Sequence, residues 1–174
     1  INNRLAAFIP STAASHIFFE SQAIVAGALM PTGTAIAQPG GYVISGRWGY
    51  GSGVAHCSWM LGACSVVEDG QPRRNPDSTL ETLIAFFPTI ECEVIDTWQV
   101  GGLRGTGSHD YQVHDLFVPA GFTSKNQGGE PFCTGIMSRL PWYSAQGAAI
   151  SAVALGLAQA AIDRYCDIAQ QRIP

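Results

Sequence analysis

Residues 40–53, with the sequence GGYVISGRWGYGSG, are the stretch of this chain that decides its fold. They alternate as a half-buried strand does, and one face carries the even positions Tyr42, Ile44, Trp48, Tyr50 and Ser52. Glycines at positions 49, 51 and 53 remove the side chains from the other face at the strand's end. Glycine in a strand marks a bulge or a place where a ligand or another backbone comes close. The pattern alone favours a bulged strand that ends in a tight turn. The alternative is a surface for a flat ring, with Ser52 as its hydrogen-bonding group.

Composition narrows the class of protein. The chain has 174 residues, of which 47% are hydrophobic and only 13% are charged, so it can form one domain with a core. The net charge is −4 and Lys125 is the only lysine, which argues against nucleic acid as a partner. No signal peptide is recognisable, and the chain starts at Ile1 rather than at methionine. We therefore expect a piece of a longer protein.

The cysteines bear on the compartment and on metal binding. They are Cys57, Cys64, Cys92, Cys133 and Cys166. This odd number at irregular spacing contains no C-x-x-C or Cys/His metal pattern. We interpret them as reduced, mostly buried thiols of a cytoplasmic protein without a metal site.

Several further segments are predicted to be strands. These are the apolar run 23–29, which ends in a PTGTA turn, the nearly all-apolar run 54–67, and residues 83–87, 90–98 and 110–119. Alternation in 90–98 places Ile90 and Val94 on one face, and alternation in 110–119 places Tyr111, Val113 and Phe117 on one face. About six strands separated by turn signals predict a small antiparallel β-barrel or sandwich over residues 21–130.

Both ends of the chain are predicted to be helical. Residues 1–20 read as the end of a helical region, broken at Pro10 and capped again at Ser11 or Thr12. Residues 144–171 have a helical period, with small residues at every fourth position from Ala148 to Ala160. Residues 145–162 are apolar nearly all round, as in a helix at the core of a bundle, whereas a membrane span is the weaker alternative. Such a helix requires further helices or a partner subunit to cover it, so the predicted class is α+β.

A second glycine-rich segment, GGLRGTGSHD, occupies residues 101–110. Arg104, Thr106 and Ser108 can form a loop that binds an anion or a substrate. The segment lacks the G-K-[ST] of a P-loop, and it precedes a strand where a dinucleotide fingerprint precedes a helix. From the residues alone, a structural turn in which Arg104 ties loops together is the favoured interpretation.

The histidines offer little chemistry. His109–Asp110 and His114–Asp115 look like acid–base pairs, but adjacent residues of a strand point to opposite faces, so neither pair converges on one site. His56 lies in the predicted buried strand and is expected to be a satisfied core histidine. His16 falls in the predicted surface helix, and no Ser/His/Asp order stands out.

The two glycine-rich segments together resemble a known family. They read G-G-Y-V-I-S-G-R-W-x-Y-x-S-G and, about fifty residues later, W-x-V-x-G-L-R-G-T-G-S-x-D-x-x-V-x-D-x-F-V-P. This is similar to the middle domain of the acyl-CoA dehydrogenase fold, and most similar to the oxygenase components of two-component flavin-dependent monooxygenases of the 4-hydroxyphenylacetate hydroxylase type. The resemblance implies a tetrameric subunit of three parts. Here 1–20 would end the helical domain, 21–130 would form the middle β-domain, and 131–174 would begin the C-terminal helical bundle.

The resemblance also implies site residues. The W-I-T segment that meets the flavin edge in the dehydrogenases falls on Tyr50, Gly51 and Ser52, and the P-x-G turn beside the flavin falls on Pro31 and Gly33. The dehydrogenases' T-E-P-x-x-G-S-D is not matched, since the chain reads L-M-P-T-G-T-A there. This departure disfavours a CoA-ester substrate. The resemblance implies that the family's catalytic residues lie outside this chain, so none is assigned here.

Three hypotheses follow. The first is an oxygenase component that hydroxylates a small aromatic substrate with O2 and reduced FMN or FAD from a separate reductase, as a cytoplasmic homotetramer without nucleic-acid or membrane partners. The second is an acyl-CoA dehydrogenase using FAD. The third is a non-enzymatic β-domain with a dimerising helix.

Overall fold

A computed structural model describes residues 2–125, 130–133 and 135–171 of the chain. The chain forms two compact units, Ile1–Thr134 and Gly135–Pro174. Every strand among the described residues lies in the first unit, and the long helix lies in the second. The three predicted domain boundaries remain a prediction, and residues 126–129 of the predicted middle domain lie outside the described part.

The first unit is built around one sheet. Its strands are β1 Val25–Gln38, β2 Gly41–Trp48, β3 Trp59–Glu68, β4 Gln71–Pro72, β5 Thr82–Pro88, β6 Glu93–Ile95, β7 Asp110–Pro119 and β8 Thr123–Lys125. They lie in the order β6-β7-β2-β1-β3-β5-β8, and β4 pairs with β3. Before them come a 3-10 helix, Asn2–Phe8, the short helix α1, Ser11–Ser15, and one π-helical turn, His16–Glu20. Pro10 takes the N-cap position of α1, so the predicted cap at Ser11 or Thr12 is wrong.

The sheet is mixed, which corrects the expectation of an antiparallel one. β1 and β2 form an antiparallel hairpin, but the chain then crosses to the other edge of β1, where β3 pairs in parallel. A strand that is buried on both faces shows the same apolar run in either direction. The sequence pattern therefore carries no signal for this crossover.

Local backbone geometry also moves several strand boundaries. The predicted PTGTA turn lies within β1, where an irregularity between Ala28 and Gly33 accommodates the extra residues. β2 ends at Trp48, earlier than predicted, and Tyr50 follows with a φ of 60°. The predicted strand 54–67 is divided into a 3-10 turn, Val54–His56, and β3. His56 is exposed in that turn, so its prediction as a core histidine is wrong.

In two segments the predicted alternation of buried and exposed side chains does not continue to the end of the segment. In β7 the register against β2 shifts between Ile44 and Gly46, opposite Asp115, which has a φ of 49°. Tyr111 and Val113 are buried on one face, as predicted. The extra residue turns the later side chains of β7 to the opposite faces, so that Phe117 is 47% exposed. In 90–98 only Glu93–Ile95 is a strand, and Ile90 is 90% exposed in the preceding turn.

The Trp48 indole is the centre of the core near the end of β2. A Cβ added at Gly33, Gly46 or Gly62, on three adjacent strands, would lie 2.3–2.9 Å from this ring. The indole Nε1 donates to the Ala63 carbonyl at 2.8 Å, and the ring stacks on Tyr111 with a centroid separation of 5.3 Å. Trp48 thereby fixes the point at which the chain leaves β2.

All five cysteines are free. Burial raises the pKa of the Cys64 thiol to about 12, and burial does the same for the half-buried Cys92. Cys133 and Cys166 are exposed, so the expectation of mostly buried thiols is only partly met.

The second unit contains the short helix α2, Ile136–Arg139, and α3, Trp142–Gln170. The 29-residue α3 confirms the predicted helix. Its large apolar side chains are exposed, including Ile150, Val153 and Leu157. Across the described ranges, none of the helices combines the length and apolarity that crossing a membrane demands.

Candidate functional site

Two backbone hydrogen bonds join the two glycine-rich segments. Gly51 N donates to the His109 carbonyl and Gly53 N donates to the Thr106 carbonyl, both at 2.9 Å. We call residues 49–53 and 101–109 together the paired-loop site. The residue pattern identified each segment separately, and the family resemblance assigned only the first of them to a flavin.

Three hydroxyl groups form a chain across the paired-loop site. Ser52 Oγ lies 2.7 Å from Ser108 Oγ, which lies 2.7 Å from Thr106 Oγ1. Thr106 Oγ1 in turn donates to the Leu103 carbonyl at 2.9 Å. Ser108 is only 4% exposed, whereas Ser52 is at the surface. The hydroxyl chain therefore leads from the Leu103 carbonyl, through the buried Ser108, to the accessible hydroxyl of Ser52.

An exposed aromatic edge lies beside these hydroxyls. Tyr50 is 75% exposed, and its ring meets the Trp98 ring edge-on at 6.0 Å. The Trp98 indole N–H donates to the Leu103 carbonyl at 3.1 Å, which fixes the indole against the second loop. Tyr50 and Leu103 both have a positive φ, a conformation that costs free energy for such residues.

Separate contacts hold three side chains near the site, those of Arg47, Asp110 and His109. Arg47 donates twice to one carboxylate oxygen of Asp110, at 2.9 and 2.7 Å, while Thr97 donates to the other at 3.1 Å. His109 Nδ1 lies 3.3 Å from the Trp98 amide nitrogen and 3.2 Å from Asp96 Oδ1, separate from the contacts of Arg47 and Asp110 described above. The pair His109–Asp110 therefore diverges, as predicted.

The other predicted pair, His114–Asp115, lies at the irregularity of β7, and both of its side chains are exposed. Asp115 accepts a hydrogen bond from Ser45 Oγ at 3.0 Å. His114 lies exposed on the same strand. Within residues 2–125, 130–133 and 135–171, no group of His, Cys, Asp and Glu side chains is placed to hold a metal ion.

Arg104 differs from its prediction. It lies exposed in the 3-10 turn Arg104–Thr106, and its guanidinium makes no hydrogen bond or ion pair with any residue described. The loop is instead held by Thr106 and by main-chain bonds, so the prediction that Arg104 ties loops together is wrong. Its charge remains available to a ligand.

Pro31 and Gly33 lie in and just after the irregularity of β1, beside the core. Gly33 is buried with its Cα hydrogen against the Trp48 ring, and Pro31 is partly exposed. Their position next to a flavin remains a prediction.

The paired-loop site fits a flavin ring. A flavin requires a flat apolar surface and hydrogen-bonding groups at its polar edge. Tyr50 provides an exposed aromatic ring with the partly buried Trp98 beside it, and Ser52 provides an accessible hydroxyl. Trp98 begins the second motif of the family resemblance, but the expected strand over 90–98 gave no reason to place it beside Tyr50.

Comparison with known proteins places the chain in a family context. No protein-family model matches it. It is 35% identical over 150 residues to an indole-3-acetate monooxygenase of Pseudomonas putida, covering 86% of the chain and 36% of the relative. It is 29% identical over 156 residues to the oxygenase subunit HsaA of a flavin-dependent monooxygenase from Mycobacterium tuberculosis H37Rv, covering 86% and 38%.

A solved structure shows the same relationship. XiaF from a Streptomyces species, in complex with FADH2 and glycerol, superimposes with a TM-score of 0.60 and 30% identity, over 79% of this chain and 31% of XiaF. The chain spans less than two fifths of the length of the two curated relatives. These comparisons confirm the resemblance: the chain is homologous, over most of its length, to the oxygenase components of flavin-dependent monooxygenases, which have the acyl-CoA dehydrogenase fold.

Proposed function

We propose that this protein is the oxygenase component of a flavin-dependent monooxygenase and hydroxylates a small aromatic substrate. One observation carries the proposal. Two hydrogen bonds of 2.9 Å join the two glycine-rich segments, and together the segments form one surface with exposed aromatic and hydroxyl groups. The named relatives act as monooxygenases, which supports this hypothesis over a dehydrogenase or a non-enzymatic β-domain.

The cofactor in this proposal is FMN or FAD in its reduced form, delivered by a separate flavin reductase. Reduced flavin supplies the activation of O2 and the transfer of one oxygen atom to the substrate. The FADH2 bound in XiaF supports a reduced flavin as the working form.

The residues of this chain bind and orient the ring. Tyr50, Gly51 and Ser52 contact its edge, and Pro31 and Gly33 lie beside it. The exposed guanidinium of Arg104 attracts an anionic group of the flavin or of the substrate, while Thr106 and Ser108 shape the same loop.

The intact protein in this proposal is larger than the described units. Helix α3 opens a C-terminal bundle, and the exposed apolar side chains of α3 are covered by further helices and by the other subunits of a homotetramer. A surface of this kind exceeds what an isolated soluble chain normally exposes. The reaction takes place in the cytoplasm, where thiols stay reduced and reductases supply the flavin.

The test uses the complete reading frame with a flavin reductase, a nicotinamide donor and a panel of phenols and indoles. We expect tighter binding of reduced than of oxidised flavin, and a hydroxylated product that depends on both O2 and the reductase. Binding of neither flavin would overturn the proposal. Rapid reduction of bound FAD by an acyl-CoA would replace the monooxygenase with the dehydrogenase.

A further inference from the structure

The hydroxyl chain of the paired-loop site has a fixed direction. A carbonyl oxygen carries no proton, so the 2.9 Å contact between Thr106 Oγ1 and the Leu103 carbonyl requires the proton of Thr106. Without that proton, two oxygen lone pairs would face each other at hydrogen-bonding distance. The Leu103 carbonyl also accepts from Trp98 Nε1 and from the Thr106 amide, each at 3.1 Å, and so acts as the common acceptor of the loop.

The direction of each hydrogen bond between the hydroxyls determines the direction of the next one. Each hydroxyl has a single proton to donate. The Thr106 hydroxyl donates its proton to the Leu103 carbonyl. In the 2.7 Å contact between Thr106 Oγ1 and Ser108 Oγ, Ser108 is therefore the donor. The 2.7 Å contact between Ser108 and Ser52 then uses the proton of Ser52. Ser52 is left with lone pairs and no proton for an incoming ligand.

We infer that Thr106 and Ser108 are positioning residues that make Ser52 an obligatory hydrogen-bond acceptor, and that this polarity selects reduced over oxidised flavin. The inference rests on the proposed function and deepens it. N5 of reduced flavin carries a hydrogen that Ser52 can accept. N5 of oxidised flavin is itself an acceptor, so the lone pairs of Ser52 oppose it.

Burial makes this discrimination effective. Ser108 is 4% exposed, so water does not compete readily for its hydroxyl. If the three hydrogen bonds ran in the opposite direction, a lone pair of Thr106 Oγ1 would face the Leu103 carbonyl oxygen. An isolated surface serine would rotate its hydroxyl and satisfy either form of the ring. The selectivity therefore resides in the two residues behind Ser52.

The test measures dissociation constants of oxidised and of dithionite-reduced FMN and FAD, under anaerobic conditions, with the intact protein. In Ser108→Ala the Ser52 hydroxyl is released and can donate to N5. We expect oxidised flavin to bind about fivefold more tightly, as one neutral hydrogen bond gives, with little change for reduced flavin. In Ser52→Ala the preference for reduced flavin falls by a similar factor, but through weaker binding of reduced flavin.

A second pair of variants separates polarity from packing. Thr106→Val removes the proton that fixes the chain and should reproduce the gain for oxidised flavin, whereas Thr106→Ser keeps the hydroxyl and should retain the wild-type ratio. Circular dichroism and melting confirm that each variant is folded. If the wild type binds reduced flavin preferentially while Ser108→Ala and Thr106→Val leave the affinity for oxidised flavin unchanged, the inference is overturned and the proposed function stands. If the wild type binds neither flavin, both are overturned.

Discussion

Replacing Gly62 by alanine tests how rigidly the core beneath the paired-loop site is held. The added Cβ would lie 2.6 Å from Trp48 Cζ2, 2.7 Å from Cε2 and 2.9 Å from Cη2, well inside van der Waals contact. The ring cannot move away easily, because Gly33 and Gly46 also abut it and its N–H is bound to Ala63 at 2.8 Å.

The expected cost follows from these contacts. Overpacking of a core costs about 1–3 kcal/mol, and the loss of the Trp48 hydrogen bond would add about 1 kcal/mol. The lower chain entropy of alanine offsets about 0.5–1 kcal/mol. The free energy of unfolding should therefore fall by about 1–3 kcal/mol, which corresponds to a melting temperature lower by about 2–12 °C for a domain of this size.

The assay is urea unfolding followed by tryptophan fluorescence and circular dichroism. Gly121→Ala is the matched control, because an added Cβ there meets no atom within 4 Å, and its stability should change by no more than about 0.5 kcal/mol. A Gly62→Ala protein as stable as the control would refute the argument, since it would show that the Trp48 ring shifts without penalty.

Three further predictions concern the site, the pH dependence and the helix. Under the proposed function, Ser52→Ala in the intact protein should leave folding unchanged but raise the ratio of hydrogen peroxide to hydroxylated product about fivefold, because one neutral hydrogen bond is lost. The ratio is measured by peroxide assay and chromatography, and an unchanged ratio would remove Ser52 from the reaction. Hydrogen bonding from Arg73 lowers the pKa of the Glu81 carboxyl below 4.5, so this contact stabilises the fold above that pH and the contribution is lost as the pH falls further. Urea midpoints measured between pH 3 and 6 should accordingly depend less on pH in Glu81→Gln, and parallel curves would contradict this. The 174-residue chain alone should self-associate through α3, and sedimentation as a well-behaved monomer at micromolar concentration would count against the helical bundle.

Predictions from the sequence succeeded where a single pattern extends through a regular element without interruption. Residues 83–87 and 144–171 were identified because an apolar run or a helical period extends through each of them without interruption. β7 was identified for the same reason, but the face of Phe117 was not, because a single extra residue at Asp115 reverses every later position.

The sequence singled out Tyr50 and Ser52 as candidate site residues, but it did not predict their geometry. Tyr50 and Ser52 were assigned to a strand, yet the positive φ of Tyr50 ends the strand and turns the chain towards residues 101–109. Alternation describes extended backbone and cannot show where an aromatic residue adopts a left-handed conformation. Arg104 looked like a structural tie because charge among glycines suggests one, but the main chain and Thr106 already hold the loop.

The main-chain bonds that hold the paired-loop site together divide its positions into a fixed frame and a variable surface. Gly51 belongs to the frame, since an added Cβ would lie 2.8 Å from the Tyr111 ring, and so does Gly53, with a φ of 85°. Tyr50 and Arg104 project from this frame, and none of the bonds that join the loops uses their side chains. A combinatorial library restricted to positions 50 and 104 should therefore yield mostly folded proteins with altered ligand preference, whereas the same library at 51 and 53 should yield mostly misfolded ones. The architecture thus allows the specificity of this surface to evolve without loss of the scaffold.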